Sequence, residues 1–193
     1  SLNGSFDVNA RYAVLSHQAG AGSVFSVLLS DNSGQSSASG FASDASGRSY
    51  GLGFGTDVEF GRLDFGLVNG ELKANGTRSG QSFANQKINS TSLNARLSFT
   101  KLGAFTPYVG ISRNIAASDA FLETGSGANL SVAAAKQSDV TAEIGMGYGL
   151  NLGDALTVSL NIAYEHALSN EGGSLNAGFA DAAVPKNFTV QTS

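Results

Sequence analysis

The chain contains no cysteine and no tryptophan, and it has only two prolines and two histidines. Without cysteine there is no disulfide framework, no thiolate metal site and no cysteine nucleophile. The two histidines, His17 and His166, lie far apart in the sequence and leave little material for a Ser-His-Asp triad or a histidine-rich metal site. The sequence therefore predicts neither an enzyme nor a bound cofactor.

Charge is also scarce. Asp, Glu, Lys and Arg make up 13% of the 193 residues, about half of the roughly 25% that is usual in soluble domains. The net charge is −4, and the 11 Lys and Arg are scattered without a run, which argues against a nucleic-acid partner. No stretch approaches the roughly 20 consecutive apolar residues of a membrane helix, and Ser1–Gly4 lacks the features of a signal peptide.

The sequence does contain a strong alternation of apolar and polar residues with period two, clearest from Asp139 to Leu152. Here the even positions from Val140 to Leu152 are apolar, whereas the odd positions are small or polar. The next segment repeats the pattern, with Leu160 and Ile162 among its apolar positions. Period two is the period of a half-exposed β-strand, so the pattern predicts antiparallel strands with one apolar face and one polar face.

The same pattern predicts eight strands, at about 6–14, 24–30, 49–60, 63–67, 93–99, 105–111, 139–152 and 156–165. In the first strand Phe6, Val8, Ala10, Tyr12 and Val14 are predicted on the apolar face and Arg11 on the polar face. Several strands are long enough to cross a bilayer, which takes about 9–11 residues at a ~45° tilt.

Short connections alternate with long ones along the chain. The short ones lie near Gly20, Gly61, Gly103 and Gly153, and the predicted long loops span 31–47, 72–86, 116–137 and 169–187. Outer-membrane barrels have short periplasmic turns and long outer loops. The fold class expected is therefore all-β, an antiparallel transmembrane β-barrel with about eight strands visible. A soluble β-sandwich is the alternative.

Within such a barrel the two faces of each strand have different neighbours, the lipid and the lumen. The residues predicted to face lipid are Ile144, Met146, Leu160 and Ile162. The residues predicted to face the lumen are Gly51, Gly53, Gly55, Arg96, Glu143, Gly145, Gly147, Gly149 and Glu165. The charged members are interpreted as a structural charge network across strands, with a substrate filter as the alternative.

The six glycines of that set leave one face of two strands free of side chains. Gly51–Gly55 lies inside an alternating strand and not at a strand-to-helix turn, so it does not fit a nucleotide-binding fingerprint. A closed eight-stranded barrel fills its lumen with side chains. The glycines therefore favour a wider barrel whose interior holds a helix or a passing chain segment.

From about Tyr50 onward the order of motifs resembles the translocator domain of autotransporters. The segments that carry the resemblance are Tyr50–Asp57, Phe105–Gly110, the phenylalanine-x-glutamate-x-glycine pattern of Phe121–Gly125, Leu130–Val132, Tyr164–His166 and Phe188–Val190. The resemblance implies a pore in the bacterial outer membrane through which an attached passenger segment reaches the cell surface. It also implies the barrel-assembly machinery as a partner, besides outer-membrane lipid.

The resemblance also bears on the extent of the domain. Members of the family have about twelve strands, so residues 1–193 are expected to form a single β-barrel domain that is incomplete at both ends. The alternatives to a translocator are a porin-like or small closed outer-membrane barrel and a soluble ligand-binding β-sandwich.

Overall fold

The computed structural model describes residues 5–151, 157–172, 174–179 and 187–191. These residues form antiparallel strands and contain no helix long and apolar enough to cross a membrane. In chain order the strands are β1 (Ser5–Gln18), β2 (Ser23–Ala38), β3 (Phe41–Val58), β4 (Gly61–Arg78), β5 (Gln81–Ser98), β6 (Phe105–Ser118), β7 (Phe121–Leu122), β8 (Thr124–Gly125), β9 (Leu130–Val132), β10 (Ala135–Asn151), β11 (Thr157–Glu171), β12 (Ser174–Phe179) and β13 (Asn187–Gln191).

Eight long strands pair in the order β1-β2-β3-β4-β5-β6-β10-β11, each with its neighbour in the meander. They contain 14 to 18 residues each, whereas strands of soluble proteins average about 5–6. The eight predicted strands are confirmed, and most of them are longer than predicted. A second, four-stranded sheet has the order β13-β12-β9-β7, and β8 pairs with β5.

Two of the predicted long loops, 31–47 and 72–86, are wrong. Both are continuations of paired strands that reverse at tight turns, Ser39-Gly40 and Ser79-Gly80. Ser79 and Gly80 have positive φ angles of 49° and 89°, as a two-residue type I′ hairpin turn requires. The Ser, Gly and Asn residues of these segments suggested loops, but their backbone groups are hydrogen-bonded in the sheet.

The predictions for the other connections were correct in some cases and not in others. The segment between β6 and β10 is a long connection as predicted, although it contains β7, β8 and β9. The predicted loop 169–187 begins inside β11 and contains β12. The turns near Gly20, Gly61 and Gly103 are short as predicted, whereas the turn near Gly153 lies outside the described residues.

The face predicted for β1 is also wrong. Residues directly opposite each other in an antiparallel pair share a face, and β1 pairs with β2 so that Leu15 is opposite Val27 and Arg11 is opposite Asp31. Tyr12 is opposite Ser30, on the other face. Ala13 and Leu15 therefore share the face of Phe25, Val27 and Leu29, together with Arg11. Val8, Ala10, Tyr12 and Val14, which were predicted on the apolar face, therefore belong to the opposite face. A one-residue change of register exchanges the two faces of a strand.

Buried apolar side chains are rare among the described residues: Tyr108, Val132 and Ala177 are the hydrophobic residues below 9% exposure. A β-sandwich would have an apolar core between two sheets. Large hydrophobic side chains are instead exposed along all eight long strands. Among the residues that the structure describes, the main sheet therefore leaves its apolar side chains exposed and has no sandwich core.

Candidate functional site: the two faces of the main sheet

The strand registers give the main sheet one continuous apolar face from β2 to β11. Leu52 is opposite Val27 and Leu67, and this pairing continues from strand to strand across the sheet. We call this side the apolar face. Its larger members are Phe25, Val27, Leu29, Tyr50, Leu52, Phe54, Leu63, Phe65, Leu67, Leu93, Leu97, Val109, Ile111, Ile144, Met146, Tyr148, Leu160, Ile162 and Tyr164.

All four residues predicted to contact lipid lie on the apolar face. Ile144, Met146, Leu160 and Ile162 are 59%, 40%, 56% and 58% exposed. Full burial of such a side chain stabilises a protein by about 1.5–3 kcal/mol relative to exposure. An apolar surface that runs across seven strands is far larger than the patches of soluble monomers. It therefore requires an apolar surrounding, although the contact of these four residues with lipid stays a prediction.

The position of the apolar stretch shifts steadily from strand to strand. The row of directly paired residues through Val27 reaches Ser169 on β11. The apolar stretch of β11 is centred between Leu160 and Ile162, about eight residues closer to the end with the short turns. Six steps of ~4.8 Å between strands and ~3.4 Å per residue then give a strand tilt of about 43°. Strands of outer-membrane barrels are tilted by about 35–45°.

The opposite side, which we call the polar face, contains all nine residues predicted to face the lumen. Gly51, Gly53 and Gly55 alternate with the apolar residues of β3, and Gly145, Gly147 and Gly149 do so on β10. Arg96, Glu143 and Glu165 occupy the same side of β5, β10 and β11. Gly51 and Gly55 are buried, whereas the apolar residues between and beside them are exposed. This is the reverse of the pattern in a soluble sheet.

A belt of charged and hydrogen-bonding side chains crosses the polar face from β3 to β10. Arg62 donates hydrogen bonds from Nε to Asp64 Oδ1 (2.9 Å) and from an Nη atom to Asp57 Oδ1 (3.2 Å). Asp64 is directly opposite Arg96. We call Asp57, Arg62, Asp64, Arg96, Tyr108 and Glu143 the charged belt.

The second half of the charged belt is centred on Tyr108, which is 1% exposed. The guanidinium carbon of Arg96 lies 3.4 Å from the centre of the Tyr108 ring, the arrangement of a cation–π contact. The Tyr108 hydroxyl donates a hydrogen bond of 2.8 Å to Glu143 Oε1. Glu143 is directly opposite Glu165, and such like-charged pairs repel unless a donor compensates them.

Two glycines create the space for the charged belt. A Cβ atom at Gly145 would collide with the Tyr108 ring, and one at Gly55 would collide with the Arg62 and Asp64 side chains. A strand glycine often marks such a close approach. Side chains of the neighbouring strands therefore occupy the space beside these two glycines.

A Cβ atom would fit without collision at three other glycines, and at Gly149 it would border open space. No atom lies within 4 Å of a Cβ placed at Gly149, and the nearest atoms at Gly147 and Gly53 are 3.7 Å and 3.5 Å away. Gly51 is intermediate, with the Val68 side chain and the Leu67 carbonyl oxygen at 3.1 Å. The polar face thus combines a charged belt with glycines beside which a Cβ atom would meet no close contact, at positions 53, 147 and 149.

Sequence reasoning did not single out Tyr108, Arg62, Asp57 or Asp64 as members of a site. Period two was sufficient to find Tyr108, because Pro107 and Val109 were predicted on the apolar face and Tyr108 lies between them. The ion pairs were not visible in the sequence, because they depend on register. The described residues contain no group of His, Cys, Asp and Glu that could hold a metal ion.

Long tilted strands with an exposed apolar face and a polar opposite face are the features of the wall of an outer-membrane β-barrel. Residues 90–193, more than half of the chain, match the sequence model of the family described as Autotransporter beta-domain. The chain belongs to that family, and its location is the bacterial outer membrane.

A solved structure supports the fold. All of this chain superimposes on 76% of the translocator domain of the autotransporter NalP from Neisseria meningitidis, with a TM-score of 0.73 and 15% sequence identity. At this identity the likeness is one of fold. No curated protein matches the sequence. The predicted family and barrel fold are confirmed, and the soluble sandwich is set aside.

Proposed function

We propose that the polar face lines the passage by which an attached passenger segment crosses the outer membrane, while the apolar face contacts lipid. Family membership supports an outer-membrane translocator that exports a passenger. The observation that carries the proposed route is the contrast between the faces of β3 and β10, on which exposed apolar side chains alternate with glycines.

The orientation follows from the two ends of the main sheet. At one end the strands reverse at short turns near Gly20, Gly61 and Gly103. At the other end β2–β5 continue well beyond the apolar stretch to the hairpin tips at Gly40 and Gly80. Outer-membrane barrels have their longer extensions on the outer side. We therefore assign the hairpin tips to the cell surface.

On this orientation the apolar stretch has the height of a bilayer. On β3 it extends from Tyr50 to Val58, and Arg48 with its ion-pair partner Asp31 (3.5 Å) marks its outer limit. About nine residues at ~3.4 Å each and a ~43° tilt span roughly 22 Å, close to the apolar band of about 25 Å in such barrels. The exposed Arg48–Asp31 pair then lies at the outer interface, where charge is tolerated.

Closure of the barrel requires partners for both edge strands, β1 and β11. An unpaired strand edge inside the hydrocarbon region leaves backbone N–H and C=O groups unsatisfied, at a cost of several kcal/mol each. We propose that further strands of a longer protein, in a barrel of about twelve strands, pair with β1 and β11. We also propose that insertion uses the barrel-assembly machinery, as the family implies. We also propose that passage of the passenger segment through the barrel requires no catalytic residue in the barrel.

The proposed route can be tested by placing bulky side chains on the polar face, where they would narrow the passage. Trp at both Gly53 and Gly147 in the full-length protein projects two bulky side chains from the polar face, at positions where a Cβ atom meets no close contact. The matched control places Trp at Thr56 and Leu150, on the apolar face of the same two strands. We expect Gly53→Trp/Gly147→Trp to lower surface display of the passenger while both variants keep the heat-modifiable barrel on gels. Undiminished display would contradict the proposed route.

A further inference from the structure

The connection between β6 and β10 folds back onto the hairpin of β4 and β5. Within it β8 pairs with the start of β5, with Gln81 opposite Gly125 and Ser82 opposite Thr124. The rings of Phe83 and Phe121 lie 5.1 Å apart at an interplanar angle of 40°. Aromatic pairs with this separation attract each other beyond the area that they bury. The connection is therefore docked against the hairpin.

The docked segment is also held by an ion pair between the buried Glu123 and the partly exposed Arg78. Arg78 donates hydrogen bonds from Nε to Glu123 Oε1 (2.9 Å) and from an Nη atom to Glu123 Oε2 (2.5 Å). The Leu130 backbone N–H also donates to Glu123 Oε2 (3.0 Å). Glu123 is 3% exposed, and a buried carboxylate is stable only when such donors satisfy it. The hydrogen bond from Arg78 is the main reason that the pKa of Glu123 is lowered.

The register shows on which side of the hairpin this segment lies. The pairing of β3 with β4 is continuous from Asp64, on the polar face, to Arg78, so Arg78 projects from the same side. Phe83 is directly opposite Gly76, and a Cβ at Gly76 would collide with its ring. Arg78 and Phe83 therefore both project from the polar side of the β4–β5 hairpin, and they anchor the connection there. The connection covers the end of the proposed passage, not the outside of the barrel.

The segment after β11 joins the same structure. β12 pairs with β9, and Ala177 is directly opposite Val132, which is opposite Phe121 on β7. Val132 and Ala177 are 4% and 5% exposed, so this small sheet has a packed side of its own. Two connections from the outer end of the barrel thus form one sheet, which is anchored at Arg78 and Phe83.

We propose that the sheet of β7, β9, β12 and β13 is a lid over the outer mouth of the passage, held closed by the Arg78–Glu123 latch, and that it opens to let the passenger through. The inference rests on the proposed function. On the β4–β5 hairpin the lid is anchored by one ion pair, one aromatic pair, the short β8 strand and further hydrogen bonds such as that from the Asp119 N–H to the Lys87 carbonyl oxygen. These contacts are few beside the pairing of the long strands, so we expect the lid to open while the main sheet stays paired. The latch sets how often the mouth is open.

The test locks the lid by a disulfide in the full-length protein. Ser82 and Thr124 are directly opposite in antiparallel strands and both are exposed, and Cα separations of about 4.5–5.5 Å in such pairs suit a disulfide. The 193-residue sequence contains no cysteine, so within it the two introduced thiols have no competing partner. We expect Ser82→Cys/Thr124→Cys to cross-link and to lose surface display under oxidising conditions, and a reductant to restore it.

The matched control cross-links the same end of the barrel away from the lid. Ser5 and Ser37 are also directly opposite and exposed, on β1 and β2. We expect Ser5→Cys/Ser37→Cys to display its passenger normally in the oxidised state. Unchanged display from the locked lid, together with blocked display from Gly53→Trp/Gly147→Trp, would overturn the lid and keep the passage. Unchanged display in both would overturn the passage and the lid with it. Failure of Ser82→Cys/Thr124→Cys to cross-link would contradict the pairing of β8 with β5.

A second variant opens the latch without adding a cross-link. Glu123→Gln keeps the shape of the side chain and removes its charge. The control is Glu71→Gln, which removes the partner of Lys73 on the other face of β4. Loss of one charge-assisted hydrogen bond corresponds to roughly a tenfold larger open population. We expect external protease to cleave residues 119–134 roughly tenfold faster in Glu123→Gln than in Glu71→Gln. Equal cleavage rates would overturn the latch.

Discussion

Leu160→Arg is the substitution whose cost depends most directly on the assignment of the apolar face. Leu160 is 56% exposed, and it lies near the centre of the apolar stretch of β11, between Val158 and Ile162. It is directly opposite Tyr148 on β10. Near the bilayer midplane an arginine on the lipid face costs about 2–4 kcal/mol. In water the same exposed site would tolerate arginine within about 0.5 kcal/mol.

The matched substitution is Ser159→Arg, one residue earlier on the same strand. Ser159 is on the polar face and directly opposite Gly149, where a Cβ atom would have no other atom within 4 Å. An arginine there has room and an aqueous surrounding, so we expect a change of less than about 0.5 kcal/mol. The predicted difference between the two variants is therefore about 1.5–4 kcal/mol, or roughly ten- to several-hundred-fold in the folded-to-unfolded ratio.

The assay is reversible unfolding of the full-length protein in lipid vesicles by denaturant, together with heat-modifiability of the barrel from isolated outer membranes. We expect Leu160→Arg to assemble poorly and to unfold at lower denaturant concentration, while Ser159→Arg resembles the parent. Equal stability of the two variants would refute the assignment of faces, and greater damage from Ser159→Arg would reverse it.

Three further predictions concern the charged belt and the latch. Gly145→Leu should destabilise the barrel by about 1–3 kcal/mol, because its side chain collides with the Tyr108 ring, and Tyr108→Ala in the same chain should recover part of that loss in a double-mutant cycle. Tyr108→Phe should lower the denaturant concentration at the midpoint of unfolding, because Glu143 loses its donor. The lid should become more sensitive to external protease as the pH falls below the ordinary range of a glutamate. The pKa of Glu123 is lowered by Arg78, so the latch contributes its full stability above the unlatched pKa and loses it as the pH falls through the latched pKa. A flat protease profile down to acid pH would contradict that last prediction.

The existence and the faces of β2–β6, β10 and β11 followed from the sequence because period two does not depend on the partner strand. Ile144 and Met146 could be separated from Gly145 and Gly147 without knowing what pairs with β10. The length of the β2–β3 and β4–β5 hairpins could not be predicted from the sequence. Residues 31–47 and 72–86 are rich in Ser, Gly and Asn, which occur in loops through local hydrogen bonds, but here cross-strand pairing outweighs that preference.

The prediction of the apolar face of β1 was wrong for a different reason. Both sides of this strand carry apolar residues, Tyr12 and Val14 on one and Ala13 and Leu15 on the other, so the alternation does not favour either side. Only the pairing with β2 decides between them. The latch was out of reach because Arg78 and Glu123 are 45 residues apart, and a single sequence contains no signal for contacts at that range. The motif at Phe121–Gly125 was recognised, but its role as an anchor was not.

The most direct test of a sheet with one face in lipid is the labelling of single cysteines along β10 in outer membranes. Since the chain contains no cysteine, each of the variants Ile144→Cys, Met146→Cys, Gly147→Cys and Gly149→Cys offers a single thiol within it. A membrane-impermeant, water-soluble maleimide should label the cysteines at positions 147 and 149 and leave those at 144 and 146 unlabelled until detergent is added. Labelling at 144 and 146 instead, or equal labelling at all four positions, would contradict a polar passage enclosed by an apolar, lipid-facing surface.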